Sequence, residues 1–239
     1  MNRKQIAAFV NEVDSFTKCQ TSKHRQKLTS LISKIIRYTL LYFPHELEKI
    51  LEAILLSAFH HQGQYRDAGG PYLFHPLRSA CALLADGVLD WRIIAIAILH
   101  DAREDSKQGG SLQAGRDIKG SFDNYYISQG VLLLTKPDDP DLEKETLPKL
   151  IRSSHLGAML VKVEERTDNL RDLYIFEPEK QKEKLRETKK HFPLLCDRID
   201  ELVLEKVRIG ELGKRYFGVA KRVRRRLESG LFRYTHIVT

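Results

Sequence analysis

Cysteine is scarce in this chain. Its 239 residues include three, Cys19, Cys81 and Cys196, odd in number and far apart. That excludes a disulfide framework and a Cys-x-x-Cys zinc site, and it fits free thiols in a reducing compartment. Long apolar runs are missing as well: no stretch approaches the ~20 residues of a membrane span. The N-terminal stretch Met1–Glu12 starts basic, but its apolar part is too short for a signal peptide. A cytoplasmic location without a membrane partner is the resulting expectation. Strand-like alternation does not persist anywhere, and no repeat of fixed period is present.

What is there is enough for a core. Hydrophobic residues make up 42% and charged residues 30%, the balance of a globular chain rather than a disordered one. The net charge of +8 is local: Lys206–Arg226 holds nine basic residues and one acid, Glu211, so the remainder is neutral. A basic stretch on a neutral body reads as an appendage.

Almost every periodic segment reads as helix, so the fold class is all-α. Ile6, Phe9, Val13 and Phe16 mark a first amphipathic helix, and Leu28, Leu31, Ile32, Ile35 and Ile36 a second. After Pro44 a third helix runs from about His45 to His61, followed by a glycine-rich loop over 62–72. Helices are expected at 76–86, from an Asp90 N-cap to about Asp105, and at 121–134, 142–153 and 156–173. Pro178 suits the first position of another helix, Pro193 opens the next, and the basic segment closes the chain. The expected organisation is an N-terminal helical extension (1–44), a helical-bundle domain (45–205) and a basic C-terminal helical tail (206–239).

The chemistry concentrates at one point. Seven apolar residues, Ile93 to Leu99, lead without a break into His100 and Asp101, and Glu104 and Asp105 follow. Ionisable groups at the end of a buried helix are costly unless compensated, and a bound metal is one compensation. If the helix continues, His100 faces Glu104, and Asp101 faces Glu104 and Asp105. The plainer alternative is a helix that simply reaches solvent. Two other segments bear on that choice: His61–Pro76, whose glycine-rich loop delivers Arg66 and His75, and Leu160–Leu173, where polar groups alternate with apolar ones.

Taken in order, these segments read His-x-Gly-Gln-x-Arg, Pro-Tyr-x-x-His-Pro, Leu-His-Asp-x-x-Glu-Asp and Val-Lys-x-x-acid-Arg-x-x-Asn-Leu-Arg. That series resembles the HD-domain hydrolases of the RelA/SpoT family, small alarmone hydrolases in particular, over roughly residues 50–205. The resemblance implies an HD-domain helical bundle and a metal-dependent hydrolase, usually with Mn²⁺. It would remove the 3′-diphosphate from guanosine tetra- or pentaphosphate, (p)ppGpp, leaving GDP or GTP and pyrophosphate. By motif position it implies His75, His100, Asp101 and Glu165 as metal ligands, and Glu104 and Asp105 as the pair that activates water. Arg66 and Asn169 would contact the nucleotide.

Two departures stand out. The family's fourth ligand is aspartate, but Glu165 occupies that place here, and Asp168, nearly a turn further on, competes for the role. Asp67 follows Arg66, where many members carry lysine or serine. These leave open an adenosine alarmone or NADPH as substrate, or a degenerate HD module that binds nucleotide without turnover. The remaining histidines, His60, His61, His155 and His191, read as structural or surface residues. In the tail, Tyr216, Phe217, Val219, Val223 and Leu227 could form the apolar stripe of a docked helix. It carries no base-reading motif, so no specific nucleic acid is expected. A homo-oligomer, or a cognate alarmone synthetase as functional partner, completes the expectations.

Overall fold

The computed structural model describes residues 1–104, 106 and 108–234, and among them the chain forms eleven α-helices. These are α1 (Arg3–Thr17), α2 (Ser22–Tyr42), α3 (Leu47–His60), α4 (Phe74–Ala85), α5 (Trp91–Leu99) and α6 (Gly110–Phe122). They are followed by α7 (Tyr125–Leu134), α8 (Pro140–Arg152), α9 (Leu156–Arg171), α10 (Pro178–Arg208) and α11 (Arg215–Phe232). Apart from a single bridge between Tyr65 and Pro71, the described residues pair no strands. The all-α reading holds. Among the described residues, no helix is long and apolar enough to cross a membrane.

Local chemistry sets the helix starts. Asn2 and Gln5 form a reciprocal capping box on α1. The Asp90 side chain accepts from the Arg92 amide and starts α5, and Pro178 opens α10 at a position where its missing N–H costs nothing.

Three expected boundaries differ. Helix α5 stops at Leu99 instead of running to Asp105, and residues 100–104 form turns. The His100 Nδ1 donates to the Ala97 carbonyl at 2.8 Å, satisfying one of the last helix acceptors from a side chain. Pro193 opens nothing: it lies inside the 31-residue α10. It sits on the exposed side, where a carbonyl deprived of its helical donor meets water, while Phe192, Leu195 and Cys196 keep the helix packed. Helix α6 has no counterpart in the sequence reading. Its glycines depress helix propensity, yet Ala114, Ile118 and Phe122 recur every four residues and are buried.

A continuous core joins the helices, from Phe9 and Val13 of α1 to Val223 and Leu227 of α11. At its centre lies α9, packed against α4, α5, α7, α8, α10 and α11. Its buried residues include Lys162, Glu164, Thr167 and Asp168 as well as apolar ones.

The basic segment docks on α9 and α10. Tyr216, Val219, Ala220, Val223 and Leu227 are buried, whereas Phe217 of the expected stripe faces outward. Much of its charge is met within the molecule. Arg224 pairs with Asp197 and Asp200 of α10, each at 2.7 Å. Arg222 donates to the Asp86 carbonyl. Arg226 reaches the Asp86 carboxylate at 2.5 Å and Glu164 of α9 at 3.5 Å. Burial pushes Glu164 up to about 8, with Arg226 pulling the other way.

Removing Arg226 strands the buried Asp86 carboxylate and leaves the buried Glu164 carboxyl without its cation. Arg226→Ala is expected to destabilise the fold by about 2 kcal/mol. That lies between the ~1 kcal/mol of an exposed pair and the ~3–5 of a fully buried one, because the guanidinium is partly solvated. Urea unfolding of the variant and parent at one pH measures the difference.

Candidate metal centre

Two turns and two helices converge on one cavity. The loop after α3 folds back on itself: the Arg66 amide donates to the Gly70 carbonyl at 3.0 Å and the Tyr72 amide to Gln64 at 2.9 Å. Gly70 adopts φ +85°, and a Cβ there would lie 2.9 Å from the Phe74 ring, so the tight return needs glycine. This return aims Arg66 and Tyr72 inward and delivers His75 in the first turn of α4, where Pro76 is tolerated. The turn after α5 adds His100, Asp101 and Glu104, and α9 adds Glu165 and Asn169. Arg66, Tyr72, His75, Asp101, Glu104, Lys136, Glu165 and Asn169 line a cavity of about 250 Å³, with Tyr65 and Asp67 also in its wall.

At its floor His75, His100 and Asp101 bring one donor atom each within 4.8 Å of one another, all buried. His75 Nε2 and His100 Nε2 are 3.2 Å apart, and the Asp101 oxygens lie 3.4 and 3.2 Å from them. Each imidazole is tied from behind. The Nδ1 of His100 donates to a carbonyl, and the Nδ1 of His75 lies 2.7 Å from Asp168 Oδ2. Both distal partners are acceptors, so each Nδ1 carries a proton and each Nε2 is directed to the shared point. Two such nitrogens and a carboxylate suit a divalent ion that takes mixed nitrogen and oxygen ligands.

The electrostatics agree with a site built for added positive charge. Burial opposes a charged His100, but Asp101 beside it outweighs burial and raises the imidazole to about 9. The same contact holds Asp101 well below the usual carboxylate range against its own burial. Glu104 goes the other way: burial, then repulsion from Asp101, lifts it to about 7, although Lys136 draws it down. Its Oε2 accepts from the Lys136 amide at 3.2 Å.

Of the residues singled out by sequence, His75, His100 and Asp101 meet at the floor, and Glu104 faces them from the wall. Asp105 lies outside the described residues. Arg66 and Asn169 meet each other, Nη2 donating to Oδ1 at 3.0 Å. Glu165 lines the cavity but stands outside the compact trio, held by Lys162 at 2.7 Å and by the Asn169 amide at 3.3 Å. Asp168 lies behind His75 and is gripped by Arg78, not facing the cavity floor.

Sequence reading passed over Tyr72, whose hydroxyl donates to Asp101 Oδ2 at 3.0 Å, and Lys136, Lys162 and Arg78. Tyr72 lies inside the Pro-Tyr-x-x-His-Pro motif and Lys162 inside the Val-Lys-x-x-acid-Arg motif; Lys136 and Arg78 carried no marker. His60 and His155 are structural: His60 is buried against Ser106 and Asp117, and His155 caps α9 through the Ala158 amide.

The raised groups predict how the metal-free protein responds to pH. His100, at about 9 in the fold and 6.5 unfolded, holds a proton in the fold that the unfolded chain releases. Its stabilisation is complete below about pH 6.5 and is lost as pH rises through about 9. Glu164, raised to about 8, acts in the same direction at lower pH. Denaturant unfolding of metal-free protein is therefore expected to weaken from pH 6.5 to 9, and the slope should flatten in His100→Asn.

No protein-family model matches the chain. Individual proteins do. The Escherichia coli K12 protein named bifunctional (p)ppGpp synthase/hydrolase SpoT is 30% identical over 166 residues, 66% of this chain and 23% of that protein. An Aquifex aeolicus protein named guanosine-3′,5′-bis(diphosphate) 3′-pyrophosphohydrolase is 30% identical over 162 residues, 66% of this chain and 22% of its own length. A Myxococcus xanthus protein named GTP pyrophosphokinase is 31% identical over 164 residues, 64% of this chain and 21% of its own. The chain thus spans less than a quarter of the length of these relatives. With about 30% identity sustained over some 160 residues, this part of the chain is similar to several such proteins.

Proposed function

We propose that this chain is a metal-dependent hydrolase that removes the 3′-diphosphate of guanosine tetra- or pentaphosphate, (p)ppGpp, releasing GDP or GTP and pyrophosphate. The observation that carries the reading is the buried floor of the cavity, where two Nε2 atoms and one carboxylate converge with both imidazoles tied from behind. Several relatives bear the name of that activity. The catalytic unit would be residues 45–205, in a cytoplasmic setting in which an alarmone synthetase is the functional counterpart.

His75, His100 and Asp101 would hold the ion, proposed as Mn²⁺, with Glu165 as the further ligand once it exchanges Lys162 for the metal. When bound, such an ion supplies Lewis-acid charge to the phosphate oxygens and to the attacking water. The chain's own residues do the remaining work. Glu104, raised to about 7 and facing the floor, accepts the proton of that water near neutral pH. Asp105 is proposed as its partner. Arg66 and Asn169, already hydrogen-bonded to each other across the cavity, orient the nucleotide. Tyr72 holds Asp101 in place. Lys136 brings positive charge to the rim, where a polyphosphate needs it.

A second reading rests on two carboxylates. Asp67 lines the cavity, and Glu165 is committed to Lys162. An adenosine alarmone or NADPH would meet the same floor, and a chain that never releases Glu165 would bind nucleotide without turnover.

A panel of guanosine tetraphosphate, its adenosine counterpart and NADPH at equal concentration, with and without Mn²⁺, tests the proposal. Guanosine tetraphosphate should turn over only with metal, and His100→Ala should lower kcat at least about 1,000-fold, as removal of an essential group does. Glu104→Gln should lower kcat by about 100-fold or more and abolish the rise of rate with pH near 7. Full turnover after complete metal removal would sink the reading.

A further inference from the structure

Behind the metal floor lies a pair of residues that no motif and no relative's name assigns. Asp168 of α9 is 3% exposed. Its Oδ2 lies 2.7 Å from His75 Nδ1 and accepts from Arg78 Nη2 at 2.6 Å; its Oδ1 accepts from Arg78 Nε at 2.7 Å. Arg78 stands one turn beyond His75 on α4, so one helix carries both the imidazole and the cation that grips its partner. The guanidinium also touches Asp172 at 3.4 Å, and Asp172 in turn lies 3.4 Å from the Arg66 Nε.

We infer that Arg78 and Asp168 are a positioning pair that sets the tautomer and ring orientation of His75 for metal binding. The inference rests on the metal reading given above. The geometry excludes Asp168 itself as a ligand, because it occupies the Nδ1 side of the ring while Nε2 faces His100 and Asp101. A bare carboxylate at 3% exposure would be costly, and Arg78 meets that cost through a two-pronged contact whose plane fixes the carboxylate. The fixed oxygen then fixes the ring. His100 gets the same service from the Ala97 carbonyl, which is backbone and cannot be lost to substitution. Of the two imidazoles, His75 is the one that depends on side chains for its aim. Partners of this kind change metal affinity by about 10–100-fold when removed.

The test uses metal-stripped full-length chain titrated with Mn²⁺ alone, the free ion being followed by electron paramagnetic resonance. In parallel, ¹⁵N chemical shifts of His75 report its tautomer without metal. Asp168→Ala is expected to weaken Mn²⁺ binding 10–100-fold and to lose the Nδ1–H form. Asp168→Asn keeps an acceptor and should fall between Ala and the parent, a graded rescue that a merely structural ion pair would not produce. Should Asp168→Ala not fold, Arg78→Lys keeps the charge while breaking the two-pronged grip, and a several-fold loss is expected. Folded Asp168→Ala or Arg78→Lys with Mn²⁺ affinity within twofold of the parent, and an unchanged His75 tautomer, overturns the inference and leaves the metal reading intact. A parent chain that binds no Mn²⁺ overturns both.

Discussion

Charge buried on α9 and at the end of α5 must be answered inside the protein, and that requirement organises this molecule. Moving an ion out of water costs several kcal/mol even after relaxation, so a folded chain keeps such groups only where partners are waiting. Helix α9 buries Lys162, Glu164 and Asp168, with Glu165 close to buried, and each has an answer. Lys162 and Glu165 take each other. Asp168 takes Arg78 and His75. Glu164 takes Arg226, which arrives from the far end of the chain. Two of these three pairings reach another helix, so the charges fix how α4, α9 and α11 sit against one another. Apolar packing brings the helices together; the ion pairs choose their register.

Against that background the floor of the cavity is exceptional. His75, His100 and Asp101 are also buried, and although each has a partner behind it, their inward atoms face one another, and two Nε2 atoms 3.2 Å apart are a poor answer. One of them must hold a proton toward the other, and the raised affinity of His100 for that proton shows how strongly Asp101 asks for positive charge there. A divalent ion satisfies all three groups at once. The rest of the cavity follows the same logic at lower intensity: Arg66, Lys136 and Lys162 are each paired with a carboxylate or amide in the resting protein. Each is placed where an incoming polyanion could compete for it.

Legibility differs sharply from place to place. The amphipathic stripes of α1, α2 and α3, the Asp90 cap and the Pro178 start were all readable, because each is a local pattern whose cause lies within a few residues. Helix α6 was not, since its glycines spoke louder than a stripe of three apolar residues. Pro193 misled for the opposite reason: a strong local breaker was overruled by the packing of Phe192, Leu195 and Cys196 around it. The end of α5 misled as well, because nothing in a run of apolar residues says that His100 will turn its own ring back onto the Ala97 carbonyl. In the site, motif spacing located His75, His100, Asp101 and Glu104, while Arg78 and Tyr72 stayed hidden as an ordinary arginine and an ordinary aromatic.

The sequence by itself determined the all-α class, the segments that meet at the cavity and the kinds of donor found there, since these depend on residue type and short-range periodicity. Whether Asp168 or Glu165 looks into the cavity, which nitrogen of each histidine is directed inward, and whether the basic tail is spent on partners or left to solvent were decided only by the tertiary structure. These are questions of direction between residues far apart in the chain. A difference of one turn on α9 puts a carboxylate in front of His75 or behind it, and only the packing of α4 against α9 selects between the two.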